Sequence, residues 1–221
     1  MPTTLLSPDR LWPVVAEQRT AVADLLATLT PDEWRGPTLC TQWTVREVVA
    51  HLTLQQMRLG ELLDGLPTML RAGRDLDRGI RDLAARRAAR STDAQLLELL
   101  RASIDSRRTN PSVTAMESLT DTMVHAQDIA IPLGRDLPMP PDAAAAAATR
   151  MWTMRWPRPF PIKRTLSGFG LRAADAEWRA GEGPAVEGPM SALLMLSTGR
   201  LIALDRLSGP GLPSLSSAVG R

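Results

Sequence analysis

The chain has 221 residues, of which 44% are hydrophobic and 23% are charged, with 26 lysines and arginines against 24 aspartates and glutamates. This composition predicts a globular protein and excludes a disordered polyampholyte and a membrane-spanning protein. The single cysteine, Cys40, cannot form an intramolecular disulfide, and the first ten residues lack the long apolar run of a signal peptide. We therefore expect a cytoplasmic protein.

Four long helices are predicted in the first part of the chain, from apolar residues at helical spacing and from the positions of caps and prolines. The second and third each begin at a capping box, Thr44 with Glu47 and Thr92 with Gln95. The stretch between 65 and 90 is expected to hold only a short helix. The predicted long helices cover 11–29, 45–64, 93–108 and 116–131.

A cluster of prolines, Pro157, Pro159 and Pro161, predicts a stiff linker between two domains. Before it, an alanine-rich fifth helix is expected to open at Pro140-Pro141-Asp142 and to reach about Met154. Beyond it, the sequence predicts short strands at 168–173 and 177–180 and a helix over 189–197. The predicted fold is therefore mainly α, with a helical bundle over 1–156 and a small α/β domain over 163–221.

The two histidines are candidate metal ligands. Asp121 precedes His125 by four residues, so a helix places their side chains on one face, where they can chelate a divalent ion. A surface hydrogen bond is an equally ordinary result of this spacing. His51 lies beside the apolar face of the second predicted helix and, taken alone, is more typical of a core histidine. Brought in from that helix, it would complete a two-histidine, one-carboxylate site with an open position.

Two segments carry a resemblance to a known family. Residues 39–52, Leu-Cys-Thr-Gln-Trp-Thr-Val-Arg-Glu-Val-Val-Ala-His-Leu, resemble the Leu-Cys-x-x-Trp-Thr-Val-x-x-x-x-x-His-Leu signature of the mycothiol-dependent maleylpyruvate isomerase family, which belongs to the DinB-like metal-binding four-helix bundles. Residues 121–134 resemble its Glu-x-x-x-His-x-x-Asp motif and the Pro-Leu-Gly that follows. The tail, with Trp178 and residues 188–200, resembles its small C-terminal domain.

The resemblance implies a metal triad of His51, Asp121 and His125, with zinc as the expected ion. This chain departs from the family pattern at Asp121, where the family has a glutamate that is one methylene longer. Asp128 would orient the imidazole of His125, although an exposed aspartate without that role is equally expected from its position. Arg200 resembles a family arginine that would clamp a substrate carboxylate, and a helix-terminal arginine is the simpler interpretation.

The resemblance also implies a reaction. A low-molecular-weight thiol, mycothiol, would bind the metal as a thiolate and attack a small electrophilic substrate, which defines a thiol transferase or isomerase. Mycothiol fits an actinobacterial source, which the arginine-rich composition with one lysine, Lys163, suggests. The expected state is a monomer or a homodimer. The alternatives are a non-enzymatic metal- or thiol-binding bundle and a metal-dependent hydrolase.

Two further features favour plain structural roles. Cys40 has no histidine near it in sequence and is predicted to be a packed apolar residue and not a nucleophile. Seven arginines between 71 and 90 are the best argument for nucleic-acid binding, but three aspartates dilute them and no aromatic residues are interleaved. We therefore expect a solvated helix face there, and neither nucleic acid nor a membrane as a partner.

Overall fold

The computed structural model describes residues 6–110, 113–154 and 160–220. The chain forms two compact units, one of Trp12–Leu137 and the other of Pro138–Arg221 together with Met1–Leu11. The predicted fold class is confirmed, because 61% of the described residues are helical and a small three-stranded sheet is present. The helices are α1 (Pro8–Ala27), α2 (Pro31–Trp34), α3 (Val45–Leu54), α4 (Leu59–Ala72), α5 (Leu76–Arg90), α6 (Asp93–Arg101), α7 (Ala115–Ala130), α8 (Pro141–Thr153), α9 (Ile162–Leu166), α10 (Met190–Ser197) and α11 (Leu212–Val219), with a 3-10 helix at Leu201–Arg206.

The unit Trp12–Leu137 is built around one apolar core to which α1, α3, α6 and α7 all contribute. These are the four helices expected from the sequence, and each presents its apolar stripe inward. Core residues that are fully or almost fully buried include Val22, Leu26, Val48, Val49, Leu96, Leu100, Ala126 and Ile129. The core holds α3 and α7 together, and these two helices carry both histidines.

The second predicted helix is wrong in length, because α3 ends at Leu54 and not at 64. The backbone N–H of Asn110 donates to the carbonyl oxygen of Gln55 at 2.8 Å, and its side-chain amide donates to that of Leu54 at 3.4 Å. These contacts satisfy carbonyl groups that a continuing helix would use. Residues 55–59 contain neither glycine nor proline, so the end is set by a distant part of the chain.

The stretch from 65 to 90, expected to hold one short helix, contains most of α4 and all of α5. Gly73, at φ +64°, separates them, in a conformation that costs glycine little. Likewise α6 stops at Arg101 and not at 108. The carbonyl oxygens of Ser103 and Ser106, in the turn that follows, accept hydrogen bonds from the guanidinium of Arg19.

The other unit contains a sheet in the order β2-β1-β3, where β1 is Gly170–Ala173, β2 is Arg179–Ala180 and β3 is Ala185–Gly188. Strand β1 pairs antiparallel with β2 and parallel with β3, a strand that the sequence did not indicate. Helix α10 lies where the helix over 189–197 is expected.

Helix α8, which the sequence assigns to the first domain, groups with the C-terminal residues. It packs on α10, and the indole N–H of Trp178 donates to Thr149 Oγ1 at 3.0 Å. The predicted linker prolines Pro157 and Pro159 lie outside the described residues. The predicted bounds 1–156 and 163–221 therefore stay a prediction about independent folding.

Among the described residues, none of the helices combines the length and the hydropathy that crossing a lipid bilayer requires.

Candidate metal centre

Helices α3 and α7 bring the two histidines and Asp121 together. His51 comes from α3, whose start is fixed at Thr44, because the backbone N–H and the hydroxyl of Thr44 both donate to Glu47 Oε2, at 2.7 and 2.9 Å. Asp121 and His125 come from α7, one turn apart. One ligand atom from each of the three side chains lies within 4.8 Å of the others, and the two imidazole centroids are 4.8 Å apart.

The spacing of these atoms suits one metal ion. His51 Nε2 lies 3.6 Å from Asp121 Oδ2, which is too long for a hydrogen bond. Two ligand atoms that each lie 2.0–2.2 Å from one tetrahedral ion are about 3.4 Å apart. A second possible group, Cys40 with His125 and Asp128, is spaced differently. Its distances of 2.9 and 3.0 Å to Asp128 Oδ2 are hydrogen-bond lengths.

Asp128 is fully buried and binds the ring of His125. The Nδ1 of His125 lies 2.9 Å from Asp128 Oδ2, so the imidazole donates there and keeps Nε2 for another partner. The thiol of Cys40 donates to the same carboxylate oxygen at 3.0 Å. This fixes the tautomer of the histidine, as carboxylate partners of metal-binding imidazoles generally do.

Cys40 makes a contact with the site that the sequence did not indicate. It packs against the apolar core as expected, and its sulfur in addition lies 3.6 Å from His125 Nδ1. The backbone N–H of Leu39 donates to the carbonyl oxygen of Asp128 at 3.0 Å and ties this loop to α7. The three side chains are not arranged as a nucleophilic triad, since the thiol and the carboxylate both lie at the same nitrogen, Nδ1, of His125.

The charge states suit a divalent cation. Burial raises the pKa of Asp121, but the imidazole of His51 and the charges of both histidines outweigh it, so the pKa of this carboxyl lies below its usual value. Burial lowers the pKa of His125 in spite of the hydrogen bond to Asp128, which raises it. Near neutral pH an ionised Asp121 therefore faces a neutral His125, the states that metal ligands need.

An aromatic ring lies beside both imidazoles, and the residue before it has an unusual backbone conformation. The ring of Trp43 lies with its centroid 5.1 Å from that of His51 and 6.0 Å from that of His125. Gln42, directly before it, has a φ of +72°, a conformation that non-glycine residues rarely adopt. The buried Nδ1 of His51 has no hydrogen-bond partner in the described part of the chain.

Arg200 lies in the other unit, which is described by itself. Its Nη1 donates to the carbonyl oxygen of Thr198 at 2.7 Å, at the end of α10. This is the contact of a helix-terminal arginine. A role for Arg200 in clamping a substrate carboxylate stays a prediction.

The fold and the site define the class of protein, which is a mainly α-helical chain that brings two histidines and a carboxylate together between two helices. Residues 15–114 match the family model of the mycothiol maleylpyruvate isomerase N-terminal domain. The resemblance found in the sequence is thereby confirmed. The matched segment contains Cys40, Trp43 and His51 and ends before α7.

The fold is similar to that of two solved structures of mycothiol-dependent maleylpyruvate isomerase, one of which is a histidine-to-alanine mutant. The mutant structure gives a TM-score of 0.61 and the other 0.57, each at 15% sequence identity and with 93% of both chains covered. No curated protein matches the sequence. At this identity the likeness concerns the fold, which includes the α7 part of the site that the family model does not reach.

Proposed function

We propose that this protein is an enzyme that uses mycothiol, a low-molecular-weight thiol, to isomerise a small electrophilic substrate at a divalent metal ion. One observation carries the proposal: His51, Asp121 and His125 meet within 4.8 Å in a chain whose matched domain and fold are those of mycothiol-dependent maleylpyruvate isomerase. We favour isomerisation of an unsaturated carboxylic acid. In this reaction the thiol adds to the double bond, the resulting single bond rotates, and the thiol leaves again. Transfer of the thiol without elimination is the neighbouring alternative.

The donor set fits zinc. Two imidazoles and one carboxylate are the protein ligands of zinc sites that keep one position open. His51, Asp121 and His125 would hold the ion, and Asp128 would keep the Nδ1 proton of His125 in place. A bound zinc ion lowers the pKa of a thiol that coordinates it, so that the nucleophilic thiolate exists at neutral pH.

Two further residues are proposed to shield and hold the reactants. Trp43 covers both imidazoles with an apolar ring and limits the access of water. Arg200 is proposed as the group that binds the substrate carboxylate, because its planar guanidinium suits a bidentate contact. We further propose a cytoplasmic enzyme of actinobacterial origin, a monomer or homodimer, that acts without nucleic acid or membrane.

Cobalt substitution tests the thiol chemistry. Addition of mycothiol to the cobalt-loaded protein should produce a sulfur-to-metal charge-transfer band, whereas a site that activates only water gives none. The same band should be absent from His125→Ala, which lacks one of the proposed ligands.

Cys40 requires its own control, because its sulfur already lies beside His125. The Cys40→Ser variant should keep the band, which would assign it to the added thiol. The proposal would be wrong if the cobalt spectrum did not change on addition of any thiol while the protein hydrolysed a model ester in a His51-dependent reaction. A metal-dependent hydrolase would then be the function indicated.

A further inference from the structure

A buried arginine lies at the start of a hydrogen-bonded chain that ends on Asp121. Arg19, on α1, is only 2% exposed, and in the described part of the chain it has no carboxylate partner. Its guanidinium donates to the carbonyl oxygens of Ser103 and Ser106, at 2.5 and 2.9 Å, and to the hydroxyl oxygen of Ser118 at 3.0 Å. Ser118 is fully buried on α7, three residues before Asp121.

The chain continues from Ser118 to the carboxylate. The hydroxyl of Ser118 donates to Gln55 Oε1 at 2.5 Å, and Gln55 Nε2 donates to Asp121 Oδ2 at 3.3 Å. Gln55 is 3% exposed and follows the last residue of α3. The link therefore joins α1, α7 and the end of α3.

The directions of the bonds in this chain are set at its two ends, by a guanidinium that only donates and a carboxylate that only accepts. The oxygen of Ser118 therefore accepts from Arg19. The single hydroxyl hydrogen of Ser118 is donated to the carbonyl oxygen of Gln55, because the amide nitrogen is needed at Asp121. The amide nitrogen of Gln55 is consequently turned toward Asp121. With the amide reversed, Gln55 Oε1 would face Asp121 Oδ2 and both would be acceptors.

We propose that Arg19, Ser118 and Gln55 are positioning residues that hold the carboxylate of Asp121 toward the two histidines. The inference rests on the proposed metal site and deepens it. Asp121 is one methylene shorter than the glutamate of the family motif, so the direction of its carboxylate matters more for reaching an ion. Burial strengthens each bond of the chain, and partners of this kind support the affinity of metal ligands.

The test is the zinc affinity of purified variants, measured by competition with a chromophoric chelator. Gln55→Met keeps the size of the side chain and removes the donor to Asp121, so we expect about a tenfold to hundredfold loss of affinity. Ser118→Ala removes the hydroxyl that holds the carbonyl end of the Gln55 amide and should lose a smaller factor, about threefold to tenfold.

Ser103→Ala is the matched control. The side chain of Ser103 is also buried, its hydroxyl donates only to the carbonyl oxygen of Leu100, and the variant keeps the backbone oxygen that binds Arg19. We expect its zinc affinity to equal that of the wild type.

The double variant separates positioning from a general loss of stability. Because Ser118 acts on Asp121 through Gln55, the Gln55→Met/Ser118→Ala protein should bind zinc no more weakly than Gln55→Met alone. Additive losses, or a Ser118→Ala protein that binds like Ser103→Ala, would overturn the inference while the metal site stands. A wild-type chain that binds no zinc would overturn both.

Discussion

At the scale of single residues, the thiol of Cys40 is the least expected member of the site. It shares Asp128 Oδ2 with the imidazole of His125, and Asp128 has no exposed surface. A buried carboxylate depends on its donors, because water cannot replace them. The cysteine therefore acts as a hydrogen-bond donor to a buried charge, and this role differs in a measurable way from apolar packing.

Exchange of Cys40 for serine and for alanine distinguishes these roles. We expect Cys40→Ala to lower the free energy of unfolding by about 1–2 kcal/mol, because Asp128 loses a donor. Cys40→Ser keeps a donor and should be more stable than Cys40→Ala. If the site were a simple apolar pocket the order would reverse, since a buried hydroxyl without a partner costs more than a methyl group. Urea denaturation of both variants measures the order.

The sequence could predict the three proposed ligands because their signals are local. Asp121 and His125 are one helical turn apart, and His51 lies in a motif with a recognisable spacing. Arg19 and Ser118 are 99 residues apart, and no pattern in either segment links them. Cys40 and Gln55 were missed for the same reason, since their roles come from contacts that only the packed core creates.

At the scale of elements, arginines join helices to one another, and one of these arginines, Arg87, lies in the stretch 71–90 where the sequence predicts a solvated helix face. Arg46, near the start of α3, donates to the carbonyl oxygens of Ala88 and Ser91, at 2.9 and 2.6 Å, and pairs with Asp93. It thus joins α3 to the end of α5 and the beginning of α6. Arg87 on α5 donates in turn to the carbonyl oxygen of Thr53 at 3.1 Å.

Replacement of Arg46 should therefore destabilise the protein more than replacement of an ordinary arginine near the surface. We expect Arg46→Met to lower the free energy of unfolding by about 1–3 kcal/mol, because two backbone carbonyls and a carboxylate lose their donor. Arg101→Met is the matched control, since among the described residues the ion-pair partner of Arg101 is Glu98, on the same exposed helix face. Its effect should stay within about 0.5 kcal/mol. Equal effects in thermal or urea unfolding would show that Arg46 contributes no more than a surface ion pair.

Helix type was easier to predict than helix length, for a physical reason. Capping boxes and apolar stripes are written in neighbouring residues, and the starts of α3 and α6 fall where these signals are. The ends of α3 and α6 depend on Asn110 and Arg19, which take up the carbonyl groups beyond the last turn. Helix ends set by tertiary contacts of this kind leave no local signal.

At the scale of the whole molecule, the candidate metal ligands and the residues that contact them belong to one unit. His51, Asp121 and His125 lie within Trp12–Leu137, as do Cys40, Asp128 and the chain from Arg19 to Gln55. Helix α8 belongs to the other unit, where the alanines of 143–148 are buried and Thr149 binds Trp178. The boundary between the unit that holds the site and the unit that holds α8 therefore lies at Leu137, 19 residues before the end of the predicted first domain at 156.

Two truncated chains decide between these boundaries. We expect the fragment 1–137 to unfold cooperatively and to bind zinc within about threefold of the full chain, because it keeps the core and every proposed ligand. The fragment 1–156 also carries α8 without α10, so its buried alanine face would be exposed and the fragment should associate. Circular dichroism, sedimentation and chelator competition report helicity, association and affinity. A monomeric, zinc-binding 1–156 beside an unfolded 1–137 would show that α8 completes the first core, and that the boundary lies at the proline cluster.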